Sequence, residues 1–132
     1  MEQPKNDSLY VTSTPKNKVC FYIDTLHQAS KNIVIGGYVI EEDSNKVVWD
    51  FDAYNIINHK MYANIPIKSF SSKEKCIPYG ANIKGVKSNA LEALKPNVKY
   101  VVHLDTTIED SDYQANHIEF MNSFRLKINP SI

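Results

Sequence analysis

Hydrophobic residues recur at every second position in several short runs of this chain, the period of a half-buried β-strand. In residues 46–53, Val47, Trp49, Phe51 and Ala53 share one face, and Val48, Asp50 and Asp52 share the other. Trp49 is the natural centre of a core. Residues 99–107 repeat the pattern, with Tyr100, Val102, Leu104 and Thr106 inward and Val101, His103, Asp105 and Thr107 outward. In residues 117–128, Ile118, Phe120, Phe124, Leu126 and Ile128 share a face on which Asn122 is the odd member. Two further runs, 19–23 and 32–40, are dense in β-branched and aromatic residues and read as strands. The second carries Gly36-Gly37, which predicts a bulge or a close backbone approach in mid-strand. The polar turn Glu41-Glu42-Asp43-Ser44-Asn45 joins it to 46–53 as a hairpin.

Between these runs the period fades. Ile56-Ile57, Met61-Tyr62 and Ile65-Pro66-Ile67 read as short strands, with Pro66 holding its segment at a sheet edge. Residues 79–86 read as another strand, punctuated by Gly80 and Gly85. Residues 88–94 read as one helical turn or a short helix, capped by Ser88 or Asn89 and stopped before Pro96. Residues 1–16 are a flexible lead-in rich in Pro, Asn, Ser and Thr, with a short edge strand at Leu9-Tyr10-Val11. Residues 17–130 then form a single domain. About seven strands and at most one short helix predict an all-β antiparallel β-sandwich of the immunoglobulin or fibronectin type III kind.

One motif narrows that architecture. Leu94-Lys95-Pro96-Asn97-Val98-Lys99-Tyr100 opens the strand at 99–107. A leucine, a proline two residues on and a tyrosine at the head of a strand form the pattern of a tyrosine corner. Its hydroxyl pins a crossover between two sheets by bonding to nearby backbone. Tyr100 is therefore expected to be buried with its hydroxyl on a backbone group.

Two segments carry a family resemblance. Phe21-Tyr22-Ile23-Asp24, a gap, and Ile33-Val34-Ile35-Gly36-Gly37-Tyr38-Val39-Ile40 resemble the opening of small β-sandwich modules in bacterial wall-polymer glycosyltransferases. Val39 stands where a smaller residue is usual. Tyr79-Gly80-Ala81-Asn82-Ile83 with the corner resembles the later hairpin of those modules, and the Leu-x-Pro-x-x-x-Tyr spacing is equally similar to fibronectin type III domains. The resemblance implies a non-catalytic accessory sandwich and brings no catalytic residues with it.

Composition removes several function classes. Across 132 residues, 15 Lys and Arg balance 15 Asp and Glu, so no positive field is available for a nucleic-acid backbone or an anionic membrane. No apolar run approaches the roughly 20 residues that span a bilayer, so no membrane insertion is expected. The polar start, Met1-Glu2-Gln3-Pro4, lacks the apolar core of a signal peptide, which leaves a cytosolic chain or a piece of a larger protein. Cys20 and Cys76 have no CxxC spacing. They are expected as free thiols, with a disulfide as the alternative. No cofactor is implied.

Candidate chemistry is sparse. Asp50-Phe51-Asp52 has the DxD spacing that holds a divalent ion in many transferases, but the solvated face of a strand gives the same pattern. Glu109, Asp110 and Asp112 offer oxygens for calcium without the EF-hand glycine and distal glutamate; an ordinary polar loop has the same composition. His27, His59, His103 and His117 show no HxH or HExxH spacing. His103 and Asp105 share a strand face, yet no GxSxG elbow accompanies them. Among 8 tyrosines, Tyr22 and Tyr54 are placed outward by the alternation, where they would suit stacking on sugar rings or a protein interface.

The candidate binding residues are thus Tyr22, Tyr54, Asp50, Asp52, His103 and Asp105. Three readings follow. The first is a binding module for a glycan or another protein. The second is a structural or assembly protein that dimerises or adds a strand through a sheet edge. The third is a small metal-dependent hydrolase built on Asp50, Asp52, His103 and Asp105, which requires those four groups in one site.

Overall fold

Two antiparallel sheets pack across one apolar core. The computed structural model describes residues 9–13, 18–24, 32–55, 57–58, 60–61, 63, 65–84, 86–108 and 117–126. The strands are β1 (Leu9–Ser13), β2 (Val19–Ile23), β3 (Asn32–Glu41), β4 (Val47–Asp52), β5 (Tyr54–Asn55), β6 (Lys60–Met61), β7 (Ile77–Pro78), β8 (Lys87–Leu91), β9 (Lys99–Ile108) and β10 (Ile118–Arg125). One sheet has the order β1-β2-β7 and the other β10-β9-β3-β4-β8, while β5 and β6 form a separate pair. The fold is therefore all-β, as the alternation predicts.

The core joins both sheets. Leu9, Phe21 and Ile23 from the smaller one meet Val39, Trp49, Val102, Leu104 and Phe120 from the larger. Trp49 lies at the centre, its ring centroid 6.4 Å from that of Phe21 and 5.1 Å from that of Phe51. Its indole N–H is buried and meets no acceptor among the described residues. Such a group costs about 1–3 kcal/mol, which burial of so large a ring offsets.

The tyrosine corner forms as expected. Tyr100 is 1% exposed, and its hydroxyl accepts a hydrogen bond from the Lys95 backbone N–H at 2.8 Å. Asn97 takes a left-handed φ of 64° in the turn, a conformation that asparagine tolerates better than most residues. Asn122, the polar residue on an otherwise apolar face, has a structural use: its side-chain amide donates to the Leu9 carbonyl at 2.7 Å and ties β10 to β1. The edge strand expected at Leu9-Tyr10-Val11 is β1, and Leu9 is fully buried.

Gly36-Gly37 answers to both expectations. The β3–β9 register shifts between Val34 and Gly36. A Cβ on Gly37 would lie 2.7 Å from the His103 carbonyl and 2.8 Å from the Phe51 ring, so only glycine lets these strands and that ring approach.

Four expectations are corrected. Residues 88–94 form no helix: β8 occupies their start and pairs with β4, and the Glu92 N–H donates to the Val48 carbonyl at 2.9 Å. Seven residues are too few to sustain a helix alone, and the open edge of β4 supplies stronger partners. The only helical element among the described residues is a 3-10 turn, Ile67–Phe70. Residues 79–84 and 86 form turns and irregular backbone rather than a strand; Gly80 has φ of 76°, and the Ala81 N–H bonds back to the Pro78 carbonyl.

Val48 is buried at 1% exposure while Val47 is 39% exposed, the reverse of simple alternation. A bulge opposite Val39 and Ile40 pairs Val39 with Trp49 and Ile40 with Val47, leaving Val48 as the extra residue turned inward. Cys20 and Cys76 are joined in a disulfide, with Cα atoms 5.6 Å apart, instead of remaining free thiols. The pairing of β2 with β7 brings them together, since Cys20 lies opposite Pro78 and Phe21 opposite Ile77. Linear spacing carries no trace of that pairing.

Candidate functional site

The outer face of the five-stranded sheet gathers most of the polar candidates. Register sets two rows across it. One row runs Asp50, Tyr38, His103, Met121 on β4, β3, β9 and β10; the next runs Asp52, Gly36, Asp105, Glu119. Because Gly36 has no side chain, its row sinks at that point. A concavity of about 400 Å³ results, with Tyr38, Asp50, Asp52, Tyr54, Asn89 and Asp105 in its lining.

Two of these carboxylates are fixed by backbone donors. The Asn89 N–H donates to Asp50 Oδ1 at 3.0 Å, just where the β4–β8 register shifts between Trp49 and Asp50. The Tyr54 N–H donates to Asp52 Oδ1 at 2.9 Å, which turns the chain out of β4 into β5. An ionised carboxylate has roughly four acceptor sites, so one bond orients each group and leaves capacity for a ligand.

His103 stacks on Tyr38, the ring centroids 4.4 Å apart and the planes 11° from parallel. Its Nδ1 contacts Glu119 Oε1, and on the neighbouring row His117 Nε2 lies 3.1 Å from Asp105 Oδ1. Side-chain exposures of 22% for Asp105 and 27% for His117 make that second pair half-buried. Burial pushes the Asp105 carboxyl above its ordinary range, and the hydrogen bond from His117 pulls it partly back. The Tyr38 phenol is also raised, first by burial and then by the negative charges of Glu119 and Asp105.

No family model, curated protein or solved structure matches this chain. Any functional reading therefore rests on the geometry of this face.

Asp50, Asp52 and Asp105 are brought into one concavity, and His103 adjoins it through Tyr38. Tyr54 borders the same hollow but does not point outward as expected: it is 4% exposed and packs with Ile33 and Ile35. The reason is local. The Ala53 N–H bonds to the Ile35 carbonyl at 2.8 Å, which ends the β4 alternation and lays Tyr54 over the start of β3. Tyr22 belongs to the other sheet, where it stacks on Tyr10 at 5.2 Å and is separate from the concavity. Glu109, Asp110, Asp112, His27 and His59 lie outside the described residues.

Sequence reasoning passed over Glu119 and the pairing of His117. The signal was present as His117-x-Glu119, because residues two apart project to one face of an extended segment.

Proposed function

We propose that this chain is a non-catalytic binding module whose ligand, a carbohydrate, occupies the concavity on the outer face of the five-stranded sheet. The observation that carries this reading is the lining itself: Tyr38 beside Asp50, Asp52, Asn89 and Asp105, over a floor lowered by Gly36. Sugars present C–H faces that pack on aromatic rings and vicinal hydroxyls that donate to paired carboxylate oxygens. Both kinds of partner are here, and Asp50 and Asp52 are held by backbone bonds before any ligand arrives. Preorganised acceptors spare a ligand the cost of ordering them.

The likeness of Gly37-Tyr38-Val39 and the tyrosine corner to accessory sandwiches of wall-polymer glycosyltransferases supports the same ligand class. The Cys20–Cys76 disulfide fits an oxidising setting such as a cell surface.

A glycan array probed with the chain, followed by calorimetry on the best ligand, tests the proposal. Tyr38→Ala and Asp50→Asn are each expected to weaken binding about tenfold, a typical loss for one stacking or hydrogen-bonding partner. Tyr22→Ala, on the opposite sheet, should leave it unchanged. Absence of binding to every glycan class, or binding that survives both concavity variants, would sink the reading.

The strand-addition alternative has one specific observation behind it. β8 stands at the edge of the larger sheet and carries Leu91, 63% exposed. Light scattering decides between the two: a dimer lost on Leu91→Lys favours the edge, and a monomer at every concentration removes it.

A further inference from the structure

We propose that Asp105, His117 and Glu119 bind one divalent transition-metal ion of the zinc class. Their ligand atoms, one imidazole nitrogen and a carboxylate oxygen from each acid, all lie within 4.8 Å of one another. Zinc holds such atoms at about 2.0–2.2 Å, which sets neighbouring donors roughly 3.3 Å apart. His117 Nε2 and Asp105 Oδ1, at 3.1 Å, already have that separation, so only the Glu119 carboxylate has to swing inward.

The sheet itself supplies the convergence. His117 and Glu119 are two residues apart in sequence, and Asp105 is the register partner of Glu119 across the β9–β10 ladder. That register sets two carboxylates directly opposite each other, a like-charge pairing that a bound cation would relieve beyond what the His103 and His117 contacts supply. The nitrogen donor then selects among cations. Calcium and magnesium take oxygen ligands, whereas imidazole with carboxylates suits zinc and its neighbours.

The surroundings fit as well. His103 Nδ1 contacts Glu119, and Tyr38 stacks on the other side of the pairing network to fix the His103 ring. Groups that orient a metal-binding carboxylate commonly tune affinity in this manner. Three protein ligands leave a coordination position open. Asp105 is shared with the concavity, so the ion would stand at its margin. The inference does not rest on the carbohydrate reading, and metal binding is measured without any sugar.

Chelator-stripped chain titrated with Zn²⁺ by calorimetry, and with Co²⁺ by visible absorption, provides the test. One equivalent per chain is expected, with micromolar or tighter affinity, and millimolar Ca²⁺ should not compete. His117→Gln and Glu119→Gln should each weaken binding by about 10–100-fold, and His103→Gln by about tenfold. A His27→Gln/His59→Gln double variant should bind as the parent does. Should the site variants fail to fold, imidazole ¹⁵N shifts of the parent chain on adding Zn²⁺ serve instead, with His117 expected to move most. Substoichiometric binding, full affinity in both site variants, or shifts confined to His27 and His59 would overturn the proposal.

Discussion

The two halves of the larger sheet are built differently. On the β9–β10 side, eight consecutive residue pairs run from Ile118 with Thr106 to Arg125 with Lys99 without a shift. On the β3–β4–β8 side, every ladder is interrupted: at Val34/Gly36, at Val39/Ile40 and at Trp49/Asp50. The regular side keeps one phase throughout, with Tyr100, Val102, Leu104 and Phe120 in the core and His103, Asp105 and Glu119 on the opposite face. The interrupted side bends, and the concavity lies on it. Bulges thus convert a flat sheet face into a hollow and point Asp50 and Asp52 toward backbone donors.

The largest expected effect breaks the regular side. Leu104 is fully buried, and Leu104→Ala should cost about 2–5 kcal/mol in chemical denaturation, since the strand ladder around it leaves little room to collapse. A loss under about 1 kcal/mol would mean that this side is not the rigid half.

A sharper test of the interrupted side uses neighbouring valines. Val48→Ser should cost about 2 kcal/mol, from lost burial and a hydroxyl placed in the core. Val47→Ser should cost less than about 0.5 kcal/mol. A strand without the bulge predicts the opposite ranking, so the sign of the difference decides.

Tyr100→Phe removes the acceptor for the Lys95 N–H at the corner where the regular side begins. A loss of about 1 kcal/mol is expected in urea unfolding, the usual net worth of one such bond.

The smallest effect appears only in alkali. Tyr79 donates to the Glu92 carbonyl at 2.7 Å, beside β4 and β8, and burial pushes its phenol from 10.0 up to about 12. Between those values the folded chain keeps a proton that the unfolded chain has lost. Stability therefore falls as pH rises from 10 to 12. Tyr79→Phe should lose that component, so its melting temperature should decline less steeply than the parent's over the same interval.

The same contrast explains what could be read from the residues alone. Period-2 alternation holds where ladders are unbroken, so the inward set Tyr100, Val102, Leu104 and Thr106 and the corner itself were legible, whereas Val101 and Thr107, expected outward, are buried at 8% and 1% exposure. Each bulge resets the phase by one residue. Val48 consequently points where the pattern denied it, and Tyr54 is covered because the Ala53 N–H to Ile35 carbonyl bond ends the β4 alternation; neither carries a local mark of it. The helix expected at 88–94 fails for a related reason: local propensity is weak beside an unpaired strand edge. For the site, alternation placed Asp50, Asp52, His103 and Asp105 on outer faces, and the hairpin turn placed β4 beside β3, but neither could bring β9 to the other side of β3. That adjacency is a property of sheet order. Glu119 joins them only because the β9–β10 register sets it opposite Asp105.

The Cys20–Cys76 bond has a mechanical consequence. It joins cysteines 56 positions apart and encloses β3 and β4, while β8, β9 and β10 lie outside the ring. A force applied at the two ends cannot draw out the enclosed segment, which withholds about 190 Å of chain at roughly 3.4 Å per residue. Such a pull acts first on the terminal strands, β1 at the edge of the smaller sheet and β10 at the edge of the larger. The β3–β4 hairpin would remain in a closed covalent ring, to be paid out only after reduction.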